Sequence, residues 1–174
     1  MKKTLCTATL FLGSLLSASA QNPSRAQGYL FFGPGAGSVG DYFGSNGRAN
    51  IHIGAGGDVF IYKGFATGAE IGPVIPWSAP SGSFRLSCCF GKLVGLGSAN
   101  LSYHFRSSNA DRKLEPFATA GYSLFFRMGT WQGYNVGAGF DVWPSRKIAP
   151  RFDIRYHSSW AYNTMGFRAG LTFT

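Results

Sequence analysis

Charged residues are scarce in this chain. Asp, Glu, Lys and Arg make up 13% of it, about half of their usual share in soluble domains. Only seven of these residues are acidic. A soluble protein with so little charge would have difficulty covering its surface with polar groups. The shortage argues against a soluble domain and favours a protein whose outer surface faces lipid.

Long apolar runs are also missing after the N-terminus. A helix that crosses a bilayer needs about 20 consecutive apolar residues, and no such run follows residue 20. Residues 1–20 instead predict a cleaved secretory signal peptide. They combine a basic start, a short apolar run over 5–16 and the small-residue cleavage site Ala18-Ser19-Ala20. A helical membrane protein is therefore not expected, and export from the cytoplasm is.

Cysteine is limited to three residues. Cys6 would be removed with the signal peptide. Cys88 and Cys89 are adjacent in a predicted loop, where a vicinal disulfide, a labile bond and a cross-link to a partner all remain open. Because the chain has no Cys-x-x-Cys motif and no His/Cys cluster, we predict no metal site and no cofactor.

Strict alternation of apolar and polar residues is what the sequence does contain. In the C-terminal stretch, Phe152, Ile154 and Tyr156 fall on one face of a strand, opposite Asp153 and Arg155. The pattern recurs along the chain and predicts eight strands, most of them longer than the usual soluble strand of about 5–6 residues. We predict a short linker over 21–26 and one β-barrel domain over 27–174.

The predicted connections differ between the two ends of the barrel. Lys63-Gly64 reads as a tight turn. Outer-membrane barrels have short periplasmic turns and longer outside loops, so we place both chain termini in the periplasm. The predicted outside loops are residues 36–48, 75–91, 128–132 and 158–164.

The placement of charge predicts which face is outside. Charge at a lipid-facing position costs about 2–4 kcal/mol at mid-bilayer for Arg or Lys, so a lipid face should exclude it. All charges within the predicted strands fall on the non-aromatic face, which we therefore assign to the interior. These predicted interior charges are Asp58, Glu70, Glu115, Arg127, Asp141, Arg151, Asp153, Arg155 and Arg168. They would form a buried salt-bridge network or, alternatively, line a narrow gated pathway for ions. A soluble lipocalin-like barrel would instead carry its charges outside.

Basic residues also cluster in the predicted periplasmic turns. They are Lys63, Arg106, Arg112, Lys113, Arg146 and Lys147. Contact with lipid headgroups and ordinary solvated turns are both consistent with this placement.

Three motifs in the second half of the chain carry a family resemblance. They are Pro116-Phe117-Ala118-Thr119-Ala120-Gly121, Asn135-Val136-Gly137-Ala138-Gly139-Phe140-Asp141 and Arg151-Phe152-Asp153-Ile154-Arg155-Tyr156-His157. The chain resembles the small outer-membrane β-barrel family that includes the OmpA transmembrane domain, OmpX and opacity-type proteins. The resemblance implies an all-β, eight-stranded antiparallel up-and-down transmembrane β-barrel in the outer membrane of a Gram-negative-type bacterium.

The expected role is structural or a surface interaction, without catalysis. The expected partners are outer-membrane lipids including lipopolysaccharide, periplasmic chaperones and the outer-membrane insertion machinery. We expect a monomer that does not bind nucleic acid; the ligand of the outside loops stays open. A small porin-like channel is the alternative.

A lipid A deacylase is a third hypothesis. His157 and Ser159 have the H-x-S spacing of such barrels, in which His activates a Ser nucleophile. The chain departs from that pattern because Trp160 replaces the usual Asn and no acidic residue follows Asp153.

Overall fold

The computed structural model describes residues 26–37, 49–77, 93–105, 113–126, 129–145, 147–160 and 163–174. They form eight strands: β1 (Ala26–Gly37), β2 (Ala49–Tyr62), β3 (Phe65–Trp77), β4 (Val94–His104), β5 (Leu114–Phe126), β6 (Thr130–Val142), β7 (Ile148–Ser159) and β8 (Asn163–Phe173). None of the residues in these ranges belongs to a helix that could span a membrane.

The eight strands form one closed antiparallel barrel in which each strand pairs with the next. β1 pairs with β8, for example through Leu30 and Leu171, so the sheet has no free edge. The predicted eight-stranded up-and-down barrel is confirmed.

The two ends of the barrel are named by their connections. The turn end carries the β2–β3 turn, the start of β1 and the end of β8, and the loop end is the opposite one. Lys63 and Gly64 have positive φ values of 35° and 92°, which suits a two-residue hairpin turn. The backbone N–H of His104 donates to the Gly64 carbonyl at 2.8 Å, which ties this turn to β4.

Several strands extend further towards the loop end than predicted. β3 continues to Trp77, β6 begins at Thr130, and β7 and β8 reach Ser159 and Asn163. Phe126 pairs with Thr130, and Ser158 pairs with Asn163. The pairing of the strand backbones therefore continues beyond the point where the alternation of apolar side chains stops. β1 also continues to Gly37, so all four predicted outside loops, 36–48, 75–91, 128–132 and 158–164, include residues that belong to strands. At the other end, β1 begins at Ala26, inside the predicted linker.

The apolar face of the sheet is on the outside. Ile71 and Phe167 are 67% and 65% exposed, whereas Asp141 and Arg151 are 0% and 2% exposed. Charge inside and large apolar side chains outside is the reverse of a soluble protein, and it suits a barrel surrounded by lipid.

The prediction that the charged face lacks aromatic side chains is wrong. Tyr29, Phe31, Phe117 and Phe125 are all buried inside the barrel. The interior of an eight-stranded barrel is just wide enough to be filled by side chains, and charged groups alone would leave gaps beside their stems. The rings occupy this space.

Candidate functional site

The barrel interior is the candidate site, because it holds the predicted charges. Among the described residues, the structure buries seven of them in one group: Asp58, Glu70, Asp141, Arg151, Asp153, Arg155 and Arg168. Glu115 is half-buried at the turn end. Arg127 lies outside the described residues.

Arg168 is at the centre of this group and binds two carboxylates. Its Nε and Nη2 atoms donate to the two oxygens of Asp153 at 2.8 and 3.1 Å. Its Nη1 donates to both oxygens of Glu70 at 3.2 Å each. The guanidinium also lies 4.2 Å from the centroid of the Phe31 ring. Since Glu70 is on β3, Asp153 on β7 and Arg168 on β8, this one side chain links distant strands across the lumen.

Arg155 lies beside this pair and connects it to the loop-end half. Its Nη1 donates to Asn135 Oδ1 at 3.0 Å. Its guanidinium is 3.7 Å from Glu70 and 4.0 Å from Asp153, which gives Coulomb attraction without a short hydrogen bond. Arg155 therefore adds positive charge to the two carboxylates that Arg168 already holds.

Arg151 is surrounded by acidic groups in the turn-end half. Its guanidinium nitrogens are 3.8, 3.7 and 3.7 Å from carboxylate oxygens of Asp58, Asp141 and Asp153. It also packs over the rings of Tyr29 and Phe117, at 4.2 and 3.9 Å from their centroids. Aromatic packing thus holds this cation between three carboxylates. Its Nε and Nη1 atoms donate no hydrogen bond to any of the described residues.

His104 links this region to the turn-end opening. Its Nδ1 is 2.9 Å from Glu115 Oε1, and its Nε2 is 3.8 Å from Asp58 Oδ2. Its ring stacks on Phe117 and contacts Phe60 edge-on. With half-buried Glu115 included, the described interior contains five carboxylates and three guanidinium groups, so carboxylates are in excess there although the whole chain is basic.

Neutral polar groups occupy the loop-end half. Ser123 Oγ accepts a hydrogen bond from Asn135 Nδ2 at 3.0 Å and lies 2.9 Å from Ser98 Oγ and 3.0 Å from His157 Nδ1. The other ring nitrogen of His157 is 3.8 Å from Glu70. The order of these side chains, Ser123 then His157 then Glu70, is that of a hydrolase triad. Ser123 is fully buried, however, so a substrate acyl group could not reach it.

Apolar side chains close one side of the loop end. Val74, Val94, Leu96 and Phe125 form a buried loop-end apolar cluster, and Trp131 packs against it. Sequence reasoning gave Val94 and Leu96 no role.

On the other side of the loop end, Asn50 and Thr164 exchange two hydrogen bonds between β2 and β8, at 2.9 and 3.2 Å. This pair is buried, as is the loop-end apolar cluster, so these described side chains leave little surface accessible to water at the loop end of the lumen.

The remaining predicted residues are placed as follows. Ser159 is half-buried at the end of β7 on the same face as His157, and Cys88 and Cys89 lie outside the described residues. No group of His, Cys, Asp and Glu that could hold a metal ion is found in the described ranges. Sequence reasoning did not identify His104, Ser123 and Tyr29 as members of the interior site. The available signal was that each of them alternates along its strand with residues that face outward.

Comparison with known proteins finds likeness in structure only. No family model matches the chain, and no curated protein matches it. Neisserial surface protein A is similar in fold, with 14% identity, a TM-score of 0.62 and coverage of 85% of this chain and 96% of that one.

Two Pseudomonas aeruginosa structures are also similar. The N-terminal β-barrel domain of OprF has 13% identity, a TM-score of 0.55 and coverage of 86% and 98% of the two chains. The outer membrane protein OprG has 9% identity, a TM-score of 0.54 and coverage of 86% and 95%. At these sequence identities the likeness shows the fold alone, which is that of small outer-membrane barrels. The role of the chain has to be inferred from its own residues.

Proposed function

We propose that the protein is an integral outer-membrane protein that serves as a closed, rigid scaffold and displays its loop-end segments at the cell surface. The observation that carries this proposal is the filled interior. Arg168 joins Glu70 and Asp153 across the lumen by four hydrogen bonds, and the loop-end apolar cluster lies above them. Rigid walls with a filled lumen suit a scaffold better than a transport path.

The apolar outer face supports the membrane placement, and the predicted signal peptide supports export. The similar fold of OprG, an outer membrane protein, supports the outer membrane in particular. We propose that the turn end faces the periplasm, because residues 38–48 and 78–92 separate strands at the loop end whereas Lys63-Gly64 is a two-residue turn. In this orientation, lipopolysaccharide surrounds the loop end and the insertion machinery assembles the barrel.

A narrow ion pathway is the second candidate, and one observation favours it. Arg151 lies 3.7–3.8 Å from Asp58 and Asp141 without a hydrogen bond between them, so these groups could exchange partners as ions pass. The acidic excess would favour cations. The loop-end apolar cluster opposes this candidate, since an ion would have to cross it without polar contacts.

We propose that the barrel is not a lipid A deacylase. His157 is buried and its Nδ1 faces Ser123 in the lumen, whereas deacylation needs a nucleophile that reaches lipid at the outer surface. Lipid A from cells that express the protein should therefore keep its acyl chains. Loss of one acyl chain on expression, abolished by His157→Ala, would contradict this.

Planar-bilayer recording tests the scaffold against the channel. The refolded protein, verified by faster gel migration before boiling than after it, is inserted at matched amounts beside a known porin. We expect no regular conductance steps from the protein. Cation-selective steps whose size changes in Arg151→Met would overturn the closed scaffold and support the ion pathway.

A further inference from the structure

The lipid-facing surface has an apolar groove across β6, β7, β8 and β1. Its volume is about 600 Å³, and its walls include Phe32, Phe140, Phe152 and Phe167. Ala169 pairs with Phe152 on one side and with Phe32 on the other, so a single methyl group lies between two rings. This small residue forms the floor of the groove.

The groove lies at the depth of the acyl chains of the turn-end leaflet. Phe152 is four residues along β7 from Ile148, which corresponds to about 13 Å of strand. With a strand tilt of about 45°, this is about 9 Å towards the centre of a hydrocarbon core about 30 Å thick. Water-soluble ligands do not reach this depth, whereas a lipid chain from the adjacent interface does.

Positive charge lies at the turn end of this sector and at the start of the adjacent strand β5. Lys113 and Lys147 are exposed, just before β5 and β7. The N–H of Trp143 donates to the Lys113 carbonyl at 2.6 Å, which joins the start of β5 to the end of β6, beside the β6–β7 turn that carries Lys147. Among the described residues, every Asp and Glu side chain is buried or half-buried, whereas both lysine side chains are exposed.

We propose that this sector binds one anionic phospholipid of the turn-end leaflet, with its phosphate at Lys113 and Lys147 and one acyl chain in the groove over Ala169. The proposal rests on the membrane placement but not on the choice between scaffold and channel. Lipid tails are as apolar as the groove, so selectivity has to come from headgroup charge and from packing against the rings. Removal of each lysine should weaken retention about fivefold.

The test is native mass spectrometry of the folded protein in micelles with phosphatidylglycerol or phosphatidylcholine of the same acyl chains. Headgroup variants are Lys113→Gln and Lys147→Gln, and Lys63→Gln at the opposite side of the barrel is the control. Ala169→Leu fills the groove, and Ala120→Leu makes the same change at an exposed outer position of β5.

We expect one retained phosphatidylglycerol, weaker retention of phosphatidylcholine, and losses in Lys113→Gln, Lys147→Gln and Ala169→Leu but not in either control. Equal losses in Lys63→Gln would overturn the site in favour of general attraction by surface charge. Displacement by inorganic phosphate together with no effect of Ala169→Leu would show an anion site without a chain, which also overturns it. Failure of the parent protein to enter membranes would instead contradict the membrane placement.

Discussion

Replacing Arg168 with methionine should lower the free energy of unfolding by about 3–5 kcal/mol, because it leaves two buried carboxylates without their main partner. Arg168 makes four hydrogen bonds to Asp153 and Glu70, all at 2.8–3.2 Å. The remaining cations near these carboxylates, Arg155 and Arg151, are 3.7–4.0 Å away and make no short contact. They would recover part of the loss but not the hydrogen bonds.

The assay is equilibrium unfolding by urea in detergent micelles, followed by tryptophan fluorescence and by gel mobility without boiling. Arg168→Lys keeps the charge and loses the two-pronged geometry, so we expect an intermediate loss. Glu70→Gln combined with Arg168→Met should cost less than the sum of the single changes, because the two groups bind each other. The reasoning is refuted if Arg168→Met costs under 1 kcal/mol, or if the two changes are additive.

Three further changes test the outer face, the loop-end apolar cluster and the turn. Ile71→Lys, at the middle of β3, should lower the free energy of unfolding in bilayers by about 2–4 kcal/mol. Tyr62→Lys, at the turn end, should lower it by only about 0–1 kcal/mol. Equal losses in the two variants would contradict a lipid-facing belt. Phe125→Ala should lower the free energy of unfolding in micelles by about 3–5 kcal/mol. It should also raise bilayer conductance above the parent level. A variant without any conductance would show that this cluster is not what closes the lumen. Gly64→Ala should cost about 1–2 kcal/mol, since the residue has φ 92° and a Cβ there would meet the His104 carbonyl. Gly95→Ala should cost less, because Gly95 has no positive φ and the nearest atom to an added Cβ is the Phe126 Cβ at 3.5 Å.

The outer face of the barrel could be predicted closely from the sequence, because a strand alternates strictly and lipid excludes charge. Phe152 and Ile154 were assigned outside and Arg151 and Asp153 inside, and the structure places them so. The strand ends were less predictable. Beyond the apolar belt the ladder continues through polar residues such as Thr130 and Asn163, whose side chains give no signal for lipid contact.

For the interior, the sequence predicts which charged residues are there but not which of them contact each other. Which carboxylate meets which guanidinium depends on the stagger of strands that are far apart in sequence, as for Glu70 and Arg168. Aromatic rings inside, such as Phe117 under Arg151, were missed because the alternation rule treats Tyr and Phe as outward residues. In a lumen this narrow, filling the space matters as much as satisfying the charges.

The central claim is that the apolar face of the sheet contacts lipid and the charged face lines the lumen. Spin labels on β5 test it most directly, with Cys88 and Cys89 replaced by Ser and single cysteines placed at Ala118, Thr119 and Ala120. In lipid vesicles, we predict high accessibility to oxygen at Ala118 and Ala120 and low accessibility to both oxygen and a polar nickel reagent at Thr119. High oxygen accessibility at Thr119 with protection of its two neighbours would contradict the inside-out barrel.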